Sequence, residues 1–257
     1  MEPVIWESKK YYERIGKIDD LSHPGLKKIQ EFCGEAESIL DVGCGDGTKL
    51  SLLGNKKTKR TGIDVSREAI KIAGKKYPGG NFSVSAGEKL SFTDNSFSVV
   101  VSTFVLEHVK DPGAFIREIV RVCRPGGKIL LLAPNYGAPN RSSPNFKGSR
   151  IRKLILGLVR DFNPDRENLN WNKVVLPEVS MESFQTDMDT TVEPYLHSLV
   201  RHLKFLGVTP LEINSYWQME LPSAGRFQKI LRFLGQGNLY PFNYWGPHLF
   251  FAGEKEK

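Results

Sequence analysis

The sequence predicts an α/β fold in which helices cover both faces of a mostly parallel sheet. Three observations support this prediction. Short apolar runs alternate with helical patterns between residues 38 and 134, a glycine-rich turn follows the first run, and an acidic residue closes the second. Such alternation is typical of β-α-β units, whose parallel strands are joined by helices. At 257 residues, with 40% hydrophobic residues, the chain can bury a sizeable core.

Five apolar segments bounded by polar residues or glycine are predicted as strands, because strands buried on both faces are continuously apolar. In chain order they are 38–43, 60–65, 81–85, 97–102 and 128–133. Ser66 is predicted to cap a helix that runs to about Lys76. Asp111 and Pro112 are predicted to begin another helix, which Arg-Pro-Gly-Gly at 124–127 ends.

After Pro134 the composition becomes that of a loop, and no clear strand is predicted before about residue 190. A helix over 192–206, a strand over 207–217 and a last strand over 248–252 follow. We therefore predict one domain over residues 1–257. Its parts are an N-terminal cap (1–35), a cofactor-binding core (36–134) and two insertions that cover the substrate (135–190 and 218–246). Residues 6–12 are expected to form a helix that closes over the cofactor or packs at the sheet edge.

The turn from Asp41 to Gly47 is the strongest functional signal. Glycines lack Cβ, so a backbone built from them can approach a ligand closely and adopt positive φ. A strand-to-helix turn can also need glycine for its geometry alone. Its candidate ligand-binding residues are Asp41, Gly43, Cys44, Gly45, Asp46 and Gly47.

Spacing within this turn indicates which cofactor it binds. Dinucleotide sites use G-x-G-x-x-G, whereas here the third glycine comes one residue early and Asp46 would repel phosphates. S-adenosylmethionine (SAM) has no phosphate, and its ammonium and sulfonium groups tolerate carboxylates. Asp64 ends the second strand, where it can accept hydrogen bonds from both ribose hydroxyls. The alternative is that Asp64 only favours the start of the helix beside Ser66.

Five motifs in order resemble those of class I SAM-dependent methyltransferases. The closest subgroup is the type 11 family, similar to enzymes of ubiquinone and menaquinone biosynthesis, and the likeness covers about residues 36–134. It implies a Rossmann-like sheet of seven strands with the last strand antiparallel. The motifs occupy residues 39–47, 62–64, 92–97, 105–109 and 124–127.

The resemblance also assigns roles to individual residues. The glycine-rich turn would hold the methionine moiety and Asp64 the ribose. The adenine would be flanked by Val65, Gly87 and Glu88, and the sulfonium end lined by Thr103 and Phe104. Ala86 stands where the family often has Asp, so the backbone or Glu88 must replace that contact.

The reaction implied is methyl transfer to O, N or C of a small-molecule, sugar or lipid-linked acceptor. Holding the acceptor in line with the methyl group is the enzyme's main task. If the acceptor must lose a proton, His108 is the candidate base; alternatively, Glu107 and His108 order the loop or cover the cofactor. Phe104 occupies the first position of a metal-binding Glu-x-x-Glu-His pattern found in some relatives, so no metal is expected. The other four histidines are expected to be surface or structural residues.

Other functions remain open at this point. A non-catalytic SAM-binding module would bind the cofactor without turnover, and a nucleotide-dependent oxidoreductase would prefer NAD(H). RNA methylation is compatible with the net charge of +7, but no RNA-binding module is recognisable.

Composition favours a cytoplasmic protein with reduced thiols. The three cysteines form no C-x-x-C pair, and neither a signal peptide nor a membrane-spanning run is apparent. Two basic amphipathic helices, over 150–162 and 224–234, are predicted within the insertions. They either pack on the domain as lids or contact a membrane surface or a lipid-linked acceptor.

Overall fold

A computed structural model describes Tyr11 and residues 22–162, 168–169, 171–175, 187–220 and 223–257. The helix predicted over residues 6–12 lies outside these residues, apart from Tyr11. The strands, numbered in chain order, are β1 (Ser38–Val42), β2 (Lys59–Asp64), β3 (Asn81–Val84), β4 (Phe97–Thr103), β5 (Cys123–Pro134), β6 (Asn172–Lys173), β7 (Val192–Glu193), β8 (Val208–Asn214) and β9 (His248–Lys255).

Seven strands form one sheet in the order β3-β2-β1-β4-β5-β9-β8, and β6 pairs with β7 separately. Strands β1 to β5 are parallel to one another, whereas β9 is antiparallel to both β5 and β8. The predicted Rossmann-like class I sheet, with its last strand antiparallel, is therefore confirmed. Because β9 runs in the opposite direction, it begins at the edge where the parallel strands end.

The described helices are α1 (Pro24–Cys33), α2 (Thr48–Ser51), α3 (Arg67–Lys76), α4 (Pro112–Val122), α5 (Arg150–Phe162), α6 (Leu196–Phe205) and α7 (Arg226–Gln236). Two predicted caps are present. Ser66 Oγ accepts a hydrogen bond from the Ala69 amide at 3.1 Å, and Asp111 Oδ1 accepts one from the Ala114 amide at 2.9 Å. Each cap satisfies an amide that the first helical turn leaves unpaired.

The prediction that 124–127 separates helix from strand is wrong. Strand β5 begins at Cys123, directly after α4, and its register against β4 shifts between Phe97 and Val99. Gly126 adopts φ +71°, which allows the chain to bulge within the strand. The glycines therefore serve a β-bulge at the start of β5.

Several boundaries in the second half also differ from prediction. Helix α7 spans Arg226–Gln236 instead of 224–234, and β9 runs to Lys255 instead of residue 252. Helix α6 begins at Leu196 because Val192 and Glu193 pair with β6. Strand β8 ends at Asn214, and Tyr216 has a left-handed backbone that begins a 3-10 helix at Trp217–Met219. The predicted strand was therefore three residues too long at its carboxyl end.

Side chains alternate between two cores on opposite faces of the sheet. In β1, Leu40 belongs to the core that contains α4 and α6, whereas Ile39 belongs to the core that contains α1. This alternation follows from the two-residue period of a strand. Both faces are apolar because helices cover both, as the continuous apolar runs predicted.

The three cysteines are buried free thiols. Burial raises the pKa of Cys33 and of Cys123 to about 12, and it also raises the pKa of Cys44. Within the described part of the chain, no helix is long and apolar enough to cross a membrane.

Buried polar groups hold the first insertion to the domain. Lys153 Nζ of α5 lies 2.6 Å from Glu193 Oε2 of β7, and the Ser143 amide donates to Glu193 Oε1 at 2.8 Å. Asp161, near the end of the same helix, accepts hydrogen bonds from the Tyr195 hydroxyl at 2.7 Å and from Trp245 Nε1 at 2.9 Å. Helix α5 is thus fixed at both ends by long-range polar contacts.

The second insertion is joined to the first by another buried ion pair. Arg141 contacts Glu220 through Nη2, and its Nε donates to the Trp245 carbonyl at 2.8 Å. Gln228 of α7 donates to the same Glu220 carboxylate at 3.0 Å. Both insertions follow strands that end at the same edge of the sheet, so they assemble on one side of the molecule.

Candidate cofactor and acceptor site

The predicted site residues converge where β1, β2 and β4 end. Strand β1 lies between β2 and β4, with Asp41 opposite Gly62 on one side and opposite Val101 on the other. From β1 the chain adds β2 and β3 on one side of the sheet and then β4 and β5 on the other, so the strand order reverses beside β1. Ligands of open α/β sheets bind at such a reversal, beyond the carboxyl ends of the strands.

The glycine-rich turn is held against β2 and the segment after β4. Gly43, Gly45 and Gly47 all have positive φ, from 53° to 85°. The amides of Gly43 and Cys44 both donate to the Ile63 carbonyl, at 2.8 and 2.9 Å. A Cβ on Gly43 would lie 2.2 Å from Val105, so only glycine fits there.

Asp64 joins the turn to the end of β2. Its Oδ2 accepts a hydrogen bond from the Gly45 amide at 2.9 Å, and its Oδ1 accepts one from the Ser66 amide at 2.9 Å. The structure therefore brings together two residues predicted from separate motifs. The contact with Ser66 also fits the alternative role at the start of α3, and one carboxylate can serve both because each oxygen has two lone pairs.

Asp41 is the buried acid at the end of β1. Its side chain is almost inaccessible, and Oδ1 has no hydrogen-bond partner among the residues that the structure describes. Burial raises the pKa of Asp41 to about 7, although the positive charge of Lys49 opposes this. A buried carboxylate oxygen without a partner is costly, so a ligand with a cationic N–H donor would stabilise it.

Asp46 lies in the turn just before α2 and binds the first residue of that helix. Its carboxylate accepts hydrogen bonds from the Thr48 amide at 3.0 Å and from Lys76 Nζ at 2.9 Å. Burial alone would raise the pKa of Asp46, but these bonds outweigh it and lower the pKa. Asp46 thus has a structural role in the turn, and its predicted contact with the cofactor stays a prediction.

Cys44, in the turn after β1, packs against Gly62 of β2. A Cβ on Gly62 would lie 2.7 Å from Cys44 Sγ, so the glycine makes room for the buried thiol. The Gly-Ile-Asp sequence of β2 therefore has a packing reason at its first position. Its last position, Asp64, provides the polar group.

The residues predicted to flank the adenine have different surroundings. Val65 is 48% exposed at the ligand edge, which is unusual for a valine between a strand and a helix. Gly87 is buried, and a Cβ there would lie 2.3 Å from the Phe115 ring, so α4 requires this glycine. Glu88 Oε1 accepts a hydrogen bond from the Lys110 amide at 3.1 Å.

Thr103 and Phe104 lie at the end of β4, opposite the glycine-rich turn. Thr103 is buried, and Phe104 has φ 57° while its amide donates to the Leu132 carbonyl at 2.7 Å. A bulky residue with positive φ is strained, and such strain concentrates at functional sites. Lys49 Nζ lies 5.4 Å from the centre of the Phe104 ring.

Two histidines that the sequence suggested to be surface or structural lie against Phe104. The His23 and His248 ring centroids are 5.8 and 6.3 Å from that of Phe104, and His23 Nε2 lies 3.2 Å from His248 Nδ1. The Gly25 amide donates to His23 Nδ1, so His23 Nε2 must carry the proton that it shares with His248. Burial and His23 lower the pKa of His248 to about 4.

His108 sits among carboxylates from its own loop and from the first insertion. Its Nδ1 lies 3.1 Å from the Asp189 carbonyl oxygen and 3.7 Å from Asp189 Oδ2, and its Nε2 lies 3.8 Å from Glu107 Oε1. Burial opposes protonation of His108, but the negative charges of Glu107, Asp189 and Asp187 outweigh it and raise the pKa. Burial raises the pKa of Glu107 to about 7.

Within the residues that the structure describes, no three His, Cys, Asp or Glu side chains are grouped to hold a metal ion. The prediction of a metal-free site stays a prediction. Glu107 instead connects the site to the insertion, because its carbonyl oxygen accepts hydrogen bonds from the Thr191 and Val192 amides at 2.8 and 3.2 Å.

Comparison with known proteins agrees with this geometry. Residues 40–131 match the type 11 family model described as a methyltransferase domain. Demethylmenaquinone methyltransferase from Chlorobaculum parvum is 38% identical over 110 residues, which cover 42% of this chain and 46% of that protein. Residues 40–131 are therefore similar to methyltransferase domains. The chain spans about half the length of the curated relatives that it matches.

Two solved methyltransferase structures share the fold of this chain. A SAM-dependent methyltransferase from Mesorhizobium loti has a TM-score of 0.59 and 15% identity, with 93% of this chain and 99% of that chain covered. Phosphoethanolamine N-methyltransferase 2 from Haemonchus contortus, in complex with SAM, has a TM-score of 0.54 and 16% identity. That comparison covers 91% of this chain and 52% of the other.

The geometry of this site fits the groups of SAM. Asp41 has a carboxylate oxygen without a partner among the described residues, which suits an ammonium group, and the Asp64 carboxylate suits ribose hydroxyls. Sequence reasoning missed Lys49, which lines a cavity together with Asp41 and Thr103. It also missed the position of His248, although the antiparallel direction of the last strand could have placed its first residue at the ligand edge.

Proposed function

We propose that this protein transfers the methyl group of SAM to O, N or C of a small-molecule, sugar or lipid-linked acceptor. The proposal rests on two carboxylates, those of Asp41 and Asp64, which lie on either side of the glycine-rich turn. One carboxylate is buried with an unpartnered oxygen, and the other is fixed by the Gly45 and Ser66 amides. Both lie at the strand ends where this fold binds ligands.

The roles of the chain's residues follow from their positions. The methionine moiety would be held by Asp41, Gly43, Cys44, Gly45, Asp46 and Gly47. Asp64 would bind the ribose, while Val65, Gly87 and Glu88 would flank the adenine. Thr103 and Phe104 would line the sulfonium end. When bound, SAM supplies an electrophilic methyl group, and the residues around it orient the acceptor and exclude water.

His108 would act as a base only above its raised pKa, because an imidazolium cannot accept a proton. At neutral pH its contact with Asp189 favours a role in ordering the insertion over the site. We expect His108→Asn to abolish a rise of kcat with pH if His108 is the base. If it orders the loop, the substitution raises KM and leaves the shape of the pH profile unchanged.

The acceptor class rests on the insertions and on the names of relatives. Residues 135–190 and 218–246 would form the substrate cover, since both insertions follow strands that end at the site. The relatives include a demethylmenaquinone methyltransferase and a phosphoethanolamine N-methyltransferase, which supports a small-molecule acceptor. A cytoplasmic location, with peripheral membrane contact through helices 150–162 and 224–234, completes the proposal.

Two measurements test it in sequence. Calorimetry with SAM and with S-adenosylhomocysteine should detect binding to the folded protein, and its absence for both would refute the proposal. Incubation with methyl-labelled SAM and fractionated cell extract should then label a small-molecule or lipid pool. Label in RNA would show that the acceptor is RNA and not a small molecule, sugar or lipid. Cofactor binding without any transfer would indicate a non-catalytic SAM-binding module.

A further inference from the structure

Helices α5 and α7 expose apolar side chains that the described residues of the domain leave uncovered. Ile151 of α5 is 73% exposed and Phe233 of α7 is 77% exposed, although side chains of these types are usually buried. The other exposed apolar residues of the two helices are Ile155, Leu156, Val159, Phe162, Phe227 and Ile230. Contiguous exposed apolar surface of this kind marks interaction sites.

Helix α5 packs Leu154 and Leu158 against the core and buries polar groups beside them, but its other large apolar side chains are exposed. Lys153, Gly157 and Asp161 recur every four residues and face the domain, where Lys153 pairs with Glu193 and Asp161 accepts two hydrogen bonds. A Cβ on Gly157 would lie 2.5 Å from Pro139, so this side of the helix lies very close to the chain beneath it. Burial of α5 therefore does not account for its outward isoleucine, valine and phenylalanine side chains.

Helix α7 is seated in the same way. Gly235 is buried, and a Cβ there would lie 2.0 Å from Trp217 Nε1, while Leu231 packs in the core. Phe227, Ile230 and Phe233, spaced by three residues, remain on the outside. Both helices thus meet the domain through a glycine and present larger apolar residues outward.

The two exposed faces are connected. The Phe162 ring at the end of α5 lies 5.5 Å, centroid to centroid, from the Tyr240 ring in the segment that follows α7. The Tyr240 hydroxyl also donates a hydrogen bond to the Asp161 carbonyl. Leu239 beside it is half exposed and extends the apolar surface.

The exposed charges on these two helices are all positive. Arg150 and Arg152 of α5, and Arg226 and Lys229 of α7, are exposed. The only acidic residue in either helix is Asp161, which is buried. Apolar residues flanked by exposed cations are typical of helices that lie in the interface of an anionic membrane.

We propose that α5 and α7 form one docking face for an anionic lipid bilayer. The apolar side chains would enter the boundary between headgroups and acyl chains, and the four cations would contact lipid phosphates. A second copy of the chain would bring like charges together, and RNA would leave the apolar side chains uncovered. The inference rests on the membrane contact proposed above and does not depend on methyl transfer.

Cosedimentation with lipid vesicles tests the docking face. The full chain is mixed with vesicles of phosphatidylcholine alone or with about 30% phosphatidylglycerol, at low and at high salt. Each exposed cation near an anionic membrane surface strengthens binding. We therefore expect partition to the anionic vesicles to be at least about tenfold stronger than to the neutral ones, and high salt should reduce this difference. Equal partition to both vesicle types, or none to either, overturns the proposal.

Variants test whether vesicle binding depends on this face or arises from non-specific adsorption. Ile155→Glu combined with Phe233→Glu should reduce partition to anionic vesicles by at least about tenfold, because a charge replaces each inserted apolar group. Phe205→Glu is the matched control, since Phe205 is 55% exposed at the opposite edge of the sheet. Arg152→Gln with Lys229→Gln should weaken binding and its salt dependence, whereas Lys56→Gln with Lys57→Gln should change neither.

Two companion measurements distinguish lipid docking from misfolding and from self-association. S-adenosylhomocysteine affinity should be unchanged in the glutamate variants, which shows that they fold and that cofactor binding is a separate property. Sedimentation velocity detects self-association. If the wild type forms dimers that the glutamate pair abolishes, and vesicles do not bind, the face covers a second copy and the lipid proposal fails.

Discussion

The cofactor-binding core and the two insertions are held in place by different interactions. In the core, glycines with positive φ and main-chain amides position the site, as when the Gly45 amide donates to Asp64. In the insertions, buried ion pairs and shared hydrogen bonds perform this task, as between Lys153 and Glu193. Main-chain geometry positions a ligand at little cost, whereas a buried charge stabilises only while its partner remains.

The largest expected effect is in the insertions. Glu193→Leu leaves Lys153 buried without its partner, so the free energy of unfolding should fall by about 3–5 kcal/mol in urea denaturation. The double variant Lys153→Met with Glu193→Leu should recover part of this loss, because no buried charge remains. Glu37→Leu, which removes an exposed pair with Arg124, should leave the midpoint unchanged. Wild-type stability of Glu193→Leu would contradict the comparison.

Asp64→Ala tests the core through ligand binding, whereas Glu193→Leu tests the insertions through stability. Loss of hydrogen bonds to a charged group should weaken SAM binding by about 1.5–3 kcal/mol in calorimetry. Asp94→Ala, which removes an exposed carboxylate distant from the turn, should leave the affinity unchanged. An unaltered affinity in Asp64→Ala would remove Asp64 from the site.

The pH dependence of S-adenosylhomocysteine binding should report on Asp41. A group with a pKa of about 7 in the free protein must lose its proton to accept the ligand's ammonium, so affinity rises with pH towards 7. Between pH 7 and pH 6 the affinity should fall by up to about tenfold, or about 1.4 kcal/mol. Asp41→Asn should flatten this slope. Glu107→Gln should preserve it, and the reverse result would assign the titration to Glu107.

The smallest effect compares two helix caps. Ser66 is buried and caps α3, so Ser66→Ala should lower the free energy of unfolding by about 1 kcal/mol in urea denaturation. Ser149, exposed at the start of α5, accepts from the Arg152 amide at 3.3 Å, and Ser149→Ala should cost less. A larger loss for Ser149→Ala would show that the insertion depends more on local signals than the core does.

Sequence reasoning succeeded where the signals are local. The caps at Ser66 and Asp111 depend on residues three positions apart, and the glycine-rich turn is contiguous. That Asp41 and Asp64 would lie together follows from adjacent parallel strands ending at one edge. The fold of residues 38–134 and the convergence of the candidate site residues could therefore be predicted largely from the sequence itself.

Long-range features could not be predicted in this way. The side chains that bond to Lys153 and Asp161, those of Glu193, Tyr195 and Trp245, lie between 34 and 84 residues away, so the spacing within α5 did not reveal which of its sides is buried. The pair of His23 and His248 spans 225 positions. The bulge at 124–127 was missed because Pro-Gly-Gly also ends helices, and only pairing with β4 distinguishes the two roles.

The buried thiols have a practical consequence. Alkylating reagents attack thiolates, and each of the three native thiols combines a closed environment with a raised pKa. A cysteine introduced on the surface would consequently react alone under mild conditions. Fluorophores could then be attached one at a time to the wild-type background, and the depth of each labelled position measured by quenchers placed in the lipid.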